Sequence, residues 1–310
     1  MHRIAAGLAV ATVMLAAGVA GSAPAVAVSH GGRPDINVSS YYLSLGDSLA
    51  QGVQPNAQGV SVETNEGYPD QLYTGLSQTN PYLRLVKLGC PGETTATMIN
   101  GGICTYQQGS QLAQAVGFLH QHAGQVRLVT IDIGANDLNP CLALTSLPKL
   151  VSCLEKVIPQ ALTNLGQIMS ELRAADPAPG AIIGMSYYDP LLANWLKGTK
   201  AGQTLATDSV TLAELYDKDL AGVYKKFGAP TANVFGAFRT TDFTGMVTTP
   251  EFGTIPVNVA TLCSYTWECA VPPVGPNEHA NVLGYGIIAN AFFNAYLNLG
   301  IAGPQSAARQ

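Results

Sequence analysis

The sequence predicts an α/β protein with a central parallel sheet covered by helices on both faces. Three observations carry that reading. Strand-like and helix-like stretches alternate about five times along the chain, the pattern of repeated strand-helix-strand units. The strand stretches are continuous apolar runs rather than in-out alternations, as expected where both faces of a sheet are buried. Several of them stop at clusters of Gly, Asn, Asp and Ser, where the chain turns towards the next helix.

In chain order, residues 1–27 combine one basic residue, Arg3, with an Ala/Val/Leu/Gly run from Ile4 to Ala20 and an Ala25-Val26-Ala27 end. A basic start, an apolar middle and a small-x-small site read as a secretory signal cleaved after Ala27. The run is short and rich in Ala and Gly for a membrane span, which needs about 20 apolar residues, so no stable membrane anchor is expected. Residues 28–310 are read as a single domain with its core at about 39–300.

The first strand lies in Tyr41-Tyr42-Leu43-Ser44-Leu45 and ends at Gly46-Asp47-Ser48. Residues 52–67 are polar and glycine-bearing, hence a loop. A short helix over 68–76 has Pro69 in its first turn, where proline costs no hydrogen bond. A second strand at 83–88 ends at Gly89-Cys90-Pro91-Gly92-Glu93-Thr94-Thr95. Helical periodicity follows over 107–123 through Leu112, Ala115, Val116 and Leu119. A third strand at 126–133 ends at Gly134-Ala135-Asn136-Asp137.

Residues 147–175 read as a long amphipathic helix that Pro159 is expected to bend. A fourth strand at 181–187 follows the break at 177–180, then a helix at 205–227, a weaker fifth strand at 232–235, and a stretch without period at 239–276. His279 precedes a final apolar helix over 281–299.

Composition excludes several classes. Charged residues are only 11% of the chain and the net charge is −5, against a usual charged share of about 25%. With no Lys or Arg cluster, nucleic acid is not an expected partner. The six cysteines fall into three near-neighbour pairs. Six cysteines allow fifteen pairings, and because short loops close most easily, Cys90–Cys104, Cys141–Cys153 and Cys263–Cys269 are expected. The rival reading, a metal site, lacks the CxxC or HxxxH spacing it needs, so no metal is expected. An even cysteine count in an exported chain reads as disulfide-bonded.

In a parallel sheet, the strand ends carrying Ser48, Gly92 and Asn136 share one edge, the edge at which open α/β sheets bind ligands. Ser48 brings a hydroxyl, the amides of Ser48 and Gly92 bring two donors, and the Asn136 side chain brings a third. Donors gathered around a serine describe an oxyanion hole. Of the five histidines, His2 lies in the signal segment, His30 in the lead, and His120 and His122 late in a helix. His279 alone opens an element after a proline-rich approach, which suits a general base.

These four blocks, Gly46-Asp47-Ser48, Gly92, Gly134-Ala135-Asn136-Asp137 and His279-Ala280-Asn281-Val282-Leu283-Gly284-Tyr285, resemble the ordered blocks of the SGNH, or GDSL, hydrolases over residues 41–299. The resemblance implies a three-layer, flavodoxin-like α/β/α sandwich and ester hydrolysis through an acyl-enzyme. Ser48 would be the nucleophile, Ser48, Gly92 and Asn136 the oxyanion donors, and His279 the general base, with no cofactor. The three cysteine pairs are similar to those of secreted actinobacterial esterases and phospholipases of that family.

In one place the chain departs from the family pattern. An aspartate commonly stands three residues before the histidine, and here Pro276 does. The Pro276 carbonyl is the expected acceptor for the His279 Nδ1–H, giving a Ser-His dyad; the alternatives are carboxylates, Glu278 beside it in sequence or Asp137, Asp189 or Glu268 reaching in from other loops. The substrate is expected to be a small-molecule or lipid ester and the protein a secreted monomer. The same residues also suit a phospholipase or a carbohydrate O-acetyl esterase, and a non-catalytic module on this fold would use the same strand-end amides to bind a ligand.

Overall fold

The computed structural model describes residues 39–144, 146–175 and 181–300; the expected signal segment at 1–27 lies outside them. The chain runs β1 (Ser40–Gly46), a small hairpin β2 (Gln54–Pro55) and β3 (Ser61–Val62), α1 (Tyr68–Ser77), β4 (Leu83–Lys87), α2 (Thr95–Asn100) and α3 (Gln111–Gln121). Then come β5 (Val126–Asp132), α4 (Ala135–Leu142), α5 (Leu147–Ala175), β6 (Ala181–Met185), a 3₁₀ segment (Pro190–Lys197) and α6 (Lys200–Lys226). The last part holds β7 (Thr231–Ala232), α7 (Val234–Ala237), β8 (Met246–Thr249), β9 (Gly253–Pro256), α8 (Val257–Tyr265), β10 (Thr266–Trp267), β11 (Asn277–Ala280) and α9 (Val282–Asn298).

Five of these strands form one parallel sheet in the order β4-β1-β5-β6-β7. Counting only sheet strands, that is 2-1-3-4-5, the flavodoxin-like order, whose direction of winding reverses between β1 and β5. Successive strand residues point to opposite faces, and the core divides accordingly. Leu43, Leu45, Val129, Ile131 and Ile182 pack under α3, α5 and α6, while Tyr42, Leu128 and Ile183 pack under α1, α8 and α9. The expected α/β/α sandwich is therefore present.

Where the structure departs from the sequence reading, local chemistry explains it. The fifth strand ends at Ala232, short of residue 235, because the Asn233 side chain accepts from the Gly236 N–H and starts the turn of α7. Asn136 and Asp137, taken as the end of a turn, belong to α4, which begins immediately after Gly134 in a left-handed conformation and includes Pro140. The stretch 239–276, without legible period, contains a largely exposed hairpin and α8, whose buried positions are Asn258, Val259 and Leu262. The helix expected at 205–227 starts earlier, where Thr199 caps α6 by accepting from the Gly202 N–H. All three expected disulfides are formed.

Candidate active site

The site lies where the sheet reverses its winding, at the carboxyl ends of β1 and β5. Gly46 ends β1 with φ +139°, and a Cβ there would sit 2.2 Å from the Asp132 carbonyl oxygen, so only glycine lets the two strand ends come this close. Asp47 then anchors the turn. Its N–H donates to the Asp132 carbonyl at 3.1 Å and its Oδ1 accepts from the Leu49 N–H at 3.0 Å. Ser48 is thereby held in the lining of a cavity, and among the described residues its hydroxyl makes only a long 3.5 Å hydrogen bond, to Asp47 Oδ1.

Gly92 follows β4 in a left-handed conformation, φ +83°, with open space where a Cβ would stand. Neither the Ser48 N–H nor the Gly92 N–H donates to another group among the described residues. Asn136 comes from the first turn of α4. Its Oδ1 accepts from Asn139 Nδ2 at 2.8 Å and its Nδ2 donates to the Glu93 carbonyl at 3.0 Å, which orients the amide and leaves one N–H over. The Gly92 loop is tied to α4 a second time, because Asp137 accepts from the Thr95 N–H at 2.8 Å and from its hydroxyl at 2.6 Å.

His279 sits on β11, at the far end of the sequence. The strand is held by Tyr188, whose hydroxyl donates to the Glu278 carbonyl at 2.6 Å. Among the described residues, Ser48, Asn136 and His279 line one cavity together, and Ser48, Gly92, Asn136 and His279 line a second that adjoins it. All four residues singled out from sequence therefore meet.

The Pro276 carbonyl expected beside His279 is not its partner. The imidazole Nδ1 bonds instead to Asn277 Oδ1 at 2.7 Å. Residues two apart on a strand share a face; Asn277 and His279 both lie within β11, whereas Pro276 precedes it. Burial holds the His279 pKa below its ordinary value, and the neighbouring Glu278 opposes that shift. Other acids near in sequence or space are engaged elsewhere: Asp137 with Thr95, and Asp189 with the Ser209 hydroxyl at 2.6 Å and the Leu191 N–H at 2.9 Å.

The two cavities differ in chemistry. The first has a volume of about 130 Å³ and apolar walls from Leu138 and Leu142 of α4, Leu150 and Leu154 of α5, and Leu191 and Leu212 opposite. The second is lined by Ser61, Glu63, Pro91, Gly92 and Glu278 beside the shared residues. Across both, the carboxyls are those of Asp47, Asp189, Asp217, Glu63 and Glu278, and no Lys or Arg contributes among the described residues. No group of His, Cys, Asp and Glu suited to holding a metal is found among them either.

The sequence profile of the GDSL-like lipase/acylhydrolase family matches residues 44–246. The chain belongs to that family. As a GDSL-like acylhydrolase it is a carboxylic-ester hydrolase. No curated protein sequence matches it significantly. Among solved structures it is similar to phospholipase A1 from Streptomyces albidoflavus NA297, at 17% identity over 83% of this chain and 100% of that one, TM-score 0.52. It is likewise similar to the extracellular lipase of Streptomyces rimosus, at 15% identity over the same shares and the same TM-score. A lipase from a goat rumen metagenome, Lip_vut3, matches at 14% identity over 83% of this chain and 97% of that one, TM-score 0.52. At these identities the likeness concerns the fold.

Sequence reasoning missed three groups in this GDSL-like site. Asn277 carried a signal, its two-residue offset from His279. Gln111, which bonds Gly46 on both sides, was hidden inside an amphipathic helix as one polar residue at a buried position. The leucines of the first cavity, drawn from α4, α5, α6 and the 3₁₀ segment, are ordinary core residues in sequence and become a pocket only through packing.

Proposed function

We propose that the protein is an exported serine esterase that takes a medium-length apolar acyl chain into the leucine-walled cavity and releases an uncharged or cationic alcohol on the acidic side. The observation that carries this reading is that Ser48, Asn136 and His279 line the leucine-walled cavity together.

In the first half-reaction, His279 Nε2 takes the Ser48 proton as Oγ attacks the ester carbonyl carbon. The carbonyl π electrons move onto oxygen, where the Ser48 N–H, the Gly92 N–H and the Asn136 amide receive the negative charge. Each such donor is worth about 3–4 kcal/mol in the transition state. Collapse of this intermediate breaks the bond to the alkoxy oxygen, and His279 returns the proton to the departing alcohol. Water then attacks the acyl-Ser48 ester with His279 as base, releasing the acid.

The acyl side is supported by the walls. A dry apolar cavity of about 150 Å³ is known to hold a benzene-sized, six-carbon group, and this cavity is of similar size at about 130 Å³. Acetyl esters would leave it largely unfilled, which argues against a carbohydrate O-acetyl esterase. The alcohol side is supported by charge. A phosphodiester placed among Glu63 and Glu278 meets repulsion and no countercharge, which argues against anionic phospholipids as preferred substrates. Export is supported by the three disulfides, which persist in oxidising compartments, and by the signal-like segment at 1–27. No helix among the described residues is long and apolar enough to cross a membrane.

Rates on nitrophenyl esters of two to sixteen carbons, and on octanoyl esters of glycerol, choline and lactate beside phosphatidylglycerol, test the reading. It predicts kcat/KM rising from two carbons to about six to eight, with glycerol and choline esters preferred over lactate and phosphatidylglycerol. Fastest turnover on acetyl esters, or preference for the anionic substrates, would contradict it.

A further inference from the structure

We infer that Asn277, a neutral amide, is the positioning residue that stands in for the acid of a Ser-His-acid triad. This inference rests on His279 being the base, as proposed above, and adds what holds that base in its working form.

Which groups can donate and which can only accept fixes the orientation of the Asn277 amide. A backbone N–H can only donate, and the His279 N–H donates to the Asn277 side-chain atom assigned as Oδ1 at 3.1 Å. That atom must therefore be the oxygen of the amide, because the nitrogen has no lone pair to offer. The other end agrees: Asn277 Nδ2 lies 3.1 Å from Ser61 Oγ and donates to it. The same oxygen stands 2.7 Å from His279 Nδ1. An amide oxygen cannot donate, so Nδ1 carries the proton and Nε2 keeps its lone pair, which is the tautomer a base towards Ser48 requires.

One short side chain thus receives both N–H groups of His279, and its amide is held from behind by β3. The arrangement differs from an acid in charge. An aspartate would stabilise the imidazolium as it forms; Asn277, which is neutral, orients the ring and stabilises that charge far less. Burial lowers the His279 pKa and the Glu278 carboxylate opposes that shift. Of the carboxyls lining the two cavities with His279, which are Asp47, Asp189, Asp217, Glu63 and Glu278, none hydrogen-bonds the ring among the described residues. The base accordingly stays neutral, and active, to a pH below the ordinary histidine value of about 6.5.

The experiment compares Asn277→Leu, Asn277→Asp and Ser61→Ala with the wild type, in kcat, KM and the pH profile of kcat/KM, on one nitrophenyl ester. Asn277→Leu is expected to lose at least about 10²-fold in kcat, the lower end of what a positioned general base contributes, with KM little changed. Asn277→Asp is expected to regain most of that loss and to move the acid limb of the profile to higher pH, since a carboxylate now bonds Nδ1–H. Ser61→Ala, at an exposed position of β3, is expected to lower kcat by a few-fold.

Full kcat with an unmoved acid limb in Asn277→Leu would overturn the inference; if that variant fails to fold, an unmoved acid limb in Asn277→Asp would do so. Ser48→Ala and His279→Ala serve as separate controls. Activity in either of those refutes the serine-histidine mechanism itself, whereas their inactivity beside a fully active Asn277→Leu refutes only the role of Asn277.

Discussion

Gln111 grips Gly46 from both sides: its Oε1 accepts from the Gly46 N–H at 2.7 Å and its Nε2 donates to the Gly46 carbonyl at 2.9 Å. The same Nε2 lies 3.1 Å from Glu93 Oε2. One fully buried side chain thus joins the turn that presents Ser48 to the loop that presents Gly92. Gly46, two residues before Ser48 and with φ +139°, has no side chain of its own to pack, so its position is set by what bonds its backbone.

Gln111→Leu keeps the approximate volume and removes all three contacts. Leaving the Gly46 N–H buried without a partner costs about 1–3 kcal/mol, and the Glu93 carboxyl loses a donor besides. We expect a loss of about 2–3 kcal/mol in a denaturant titration, and a fall in kcat larger than any rise in KM. A variant as stable and as active as the wild type would show that the turn holds itself.

The carboxyls around the leucine-walled cavity predict an alkaline weakness. Burial raises Asp217 to about 8 and Asp189 to about 6, both above the unfolded value of about 3.9. For an acid whose folded pKa is raised, the folded state holds the proton longer than the unfolded state, so stability is full below about pH 4 and falls as pH climbs to the folded pKa. Asp217 therefore contributes a decline between about pH 4 and about pH 8, at up to about 1.4 kcal/mol per pH unit. Thermal unfolding of Asp217→Asn at pH 5.5 and pH 8.5 should show a smaller drop between the two than the wild type shows. An equal drop would mean that Asp217 ionises freely in the fold.

Leu212 lies on α6 along the wall of the same cavity. Leu212→Trp adds bulk into the space assigned to the acyl chain while leaving Ser48, Asn136 and His279 untouched. The ratio of kcat/KM for octanoyl over acetyl nitrophenyl esters is expected to fall by about tenfold or more, on the order of what one or two methylenes are worth in a hydrophobic pocket. An unchanged ratio would place the chain elsewhere.

Each disulfide closes a loop beside a part of the site. Cys90–Cys104 encloses Gly92, Cys141–Cys153 joins α4, which carries Asn136, to α5, and Cys263–Cys269 precedes β11. Bridges over such short loops are worth about 2–3 kcal/mol each, enough to decide where a loop sits. Mild reduction should lower turnover while far-UV circular dichroism stays near native. Unchanged activity with six titratable thiols would contradict this.

What was legible in the sequence follows from how local each signal is. β1, β5 and β6 announce themselves because a strand buried on both faces must be continuously apolar, and the glycines at 46, 92 and 134 because their backbone conformations, φ +139°, +83° and +117°, suit little else. Asn277 is not legible from the three-residue spacing of the family, which points to Pro276, whereas the strand period of two places the amide on the same face as His279. The acyl cavity was invisible for a different reason. Leu138, Leu154 and Leu212 belong to three helices, and no sequence pattern distinguishes a leucine that fills a core from one that walls a void.

In the proposed mechanism Ser48 carries the acyl group covalently, and His279 both makes and breaks that bond. This is tested most directly by acid-quenching the enzyme during turnover of nitrophenyl octanoate and reading the intact and peptide masses. A single octanoyl adduct is expected on the peptide containing Ser48, slowly cleared or absent in His279→Ala and never formed in Ser48→Ala. Rapid hydrolysis by Ser48→Ala, or an adduct on any other residue at the rate of turnover, would contradict it.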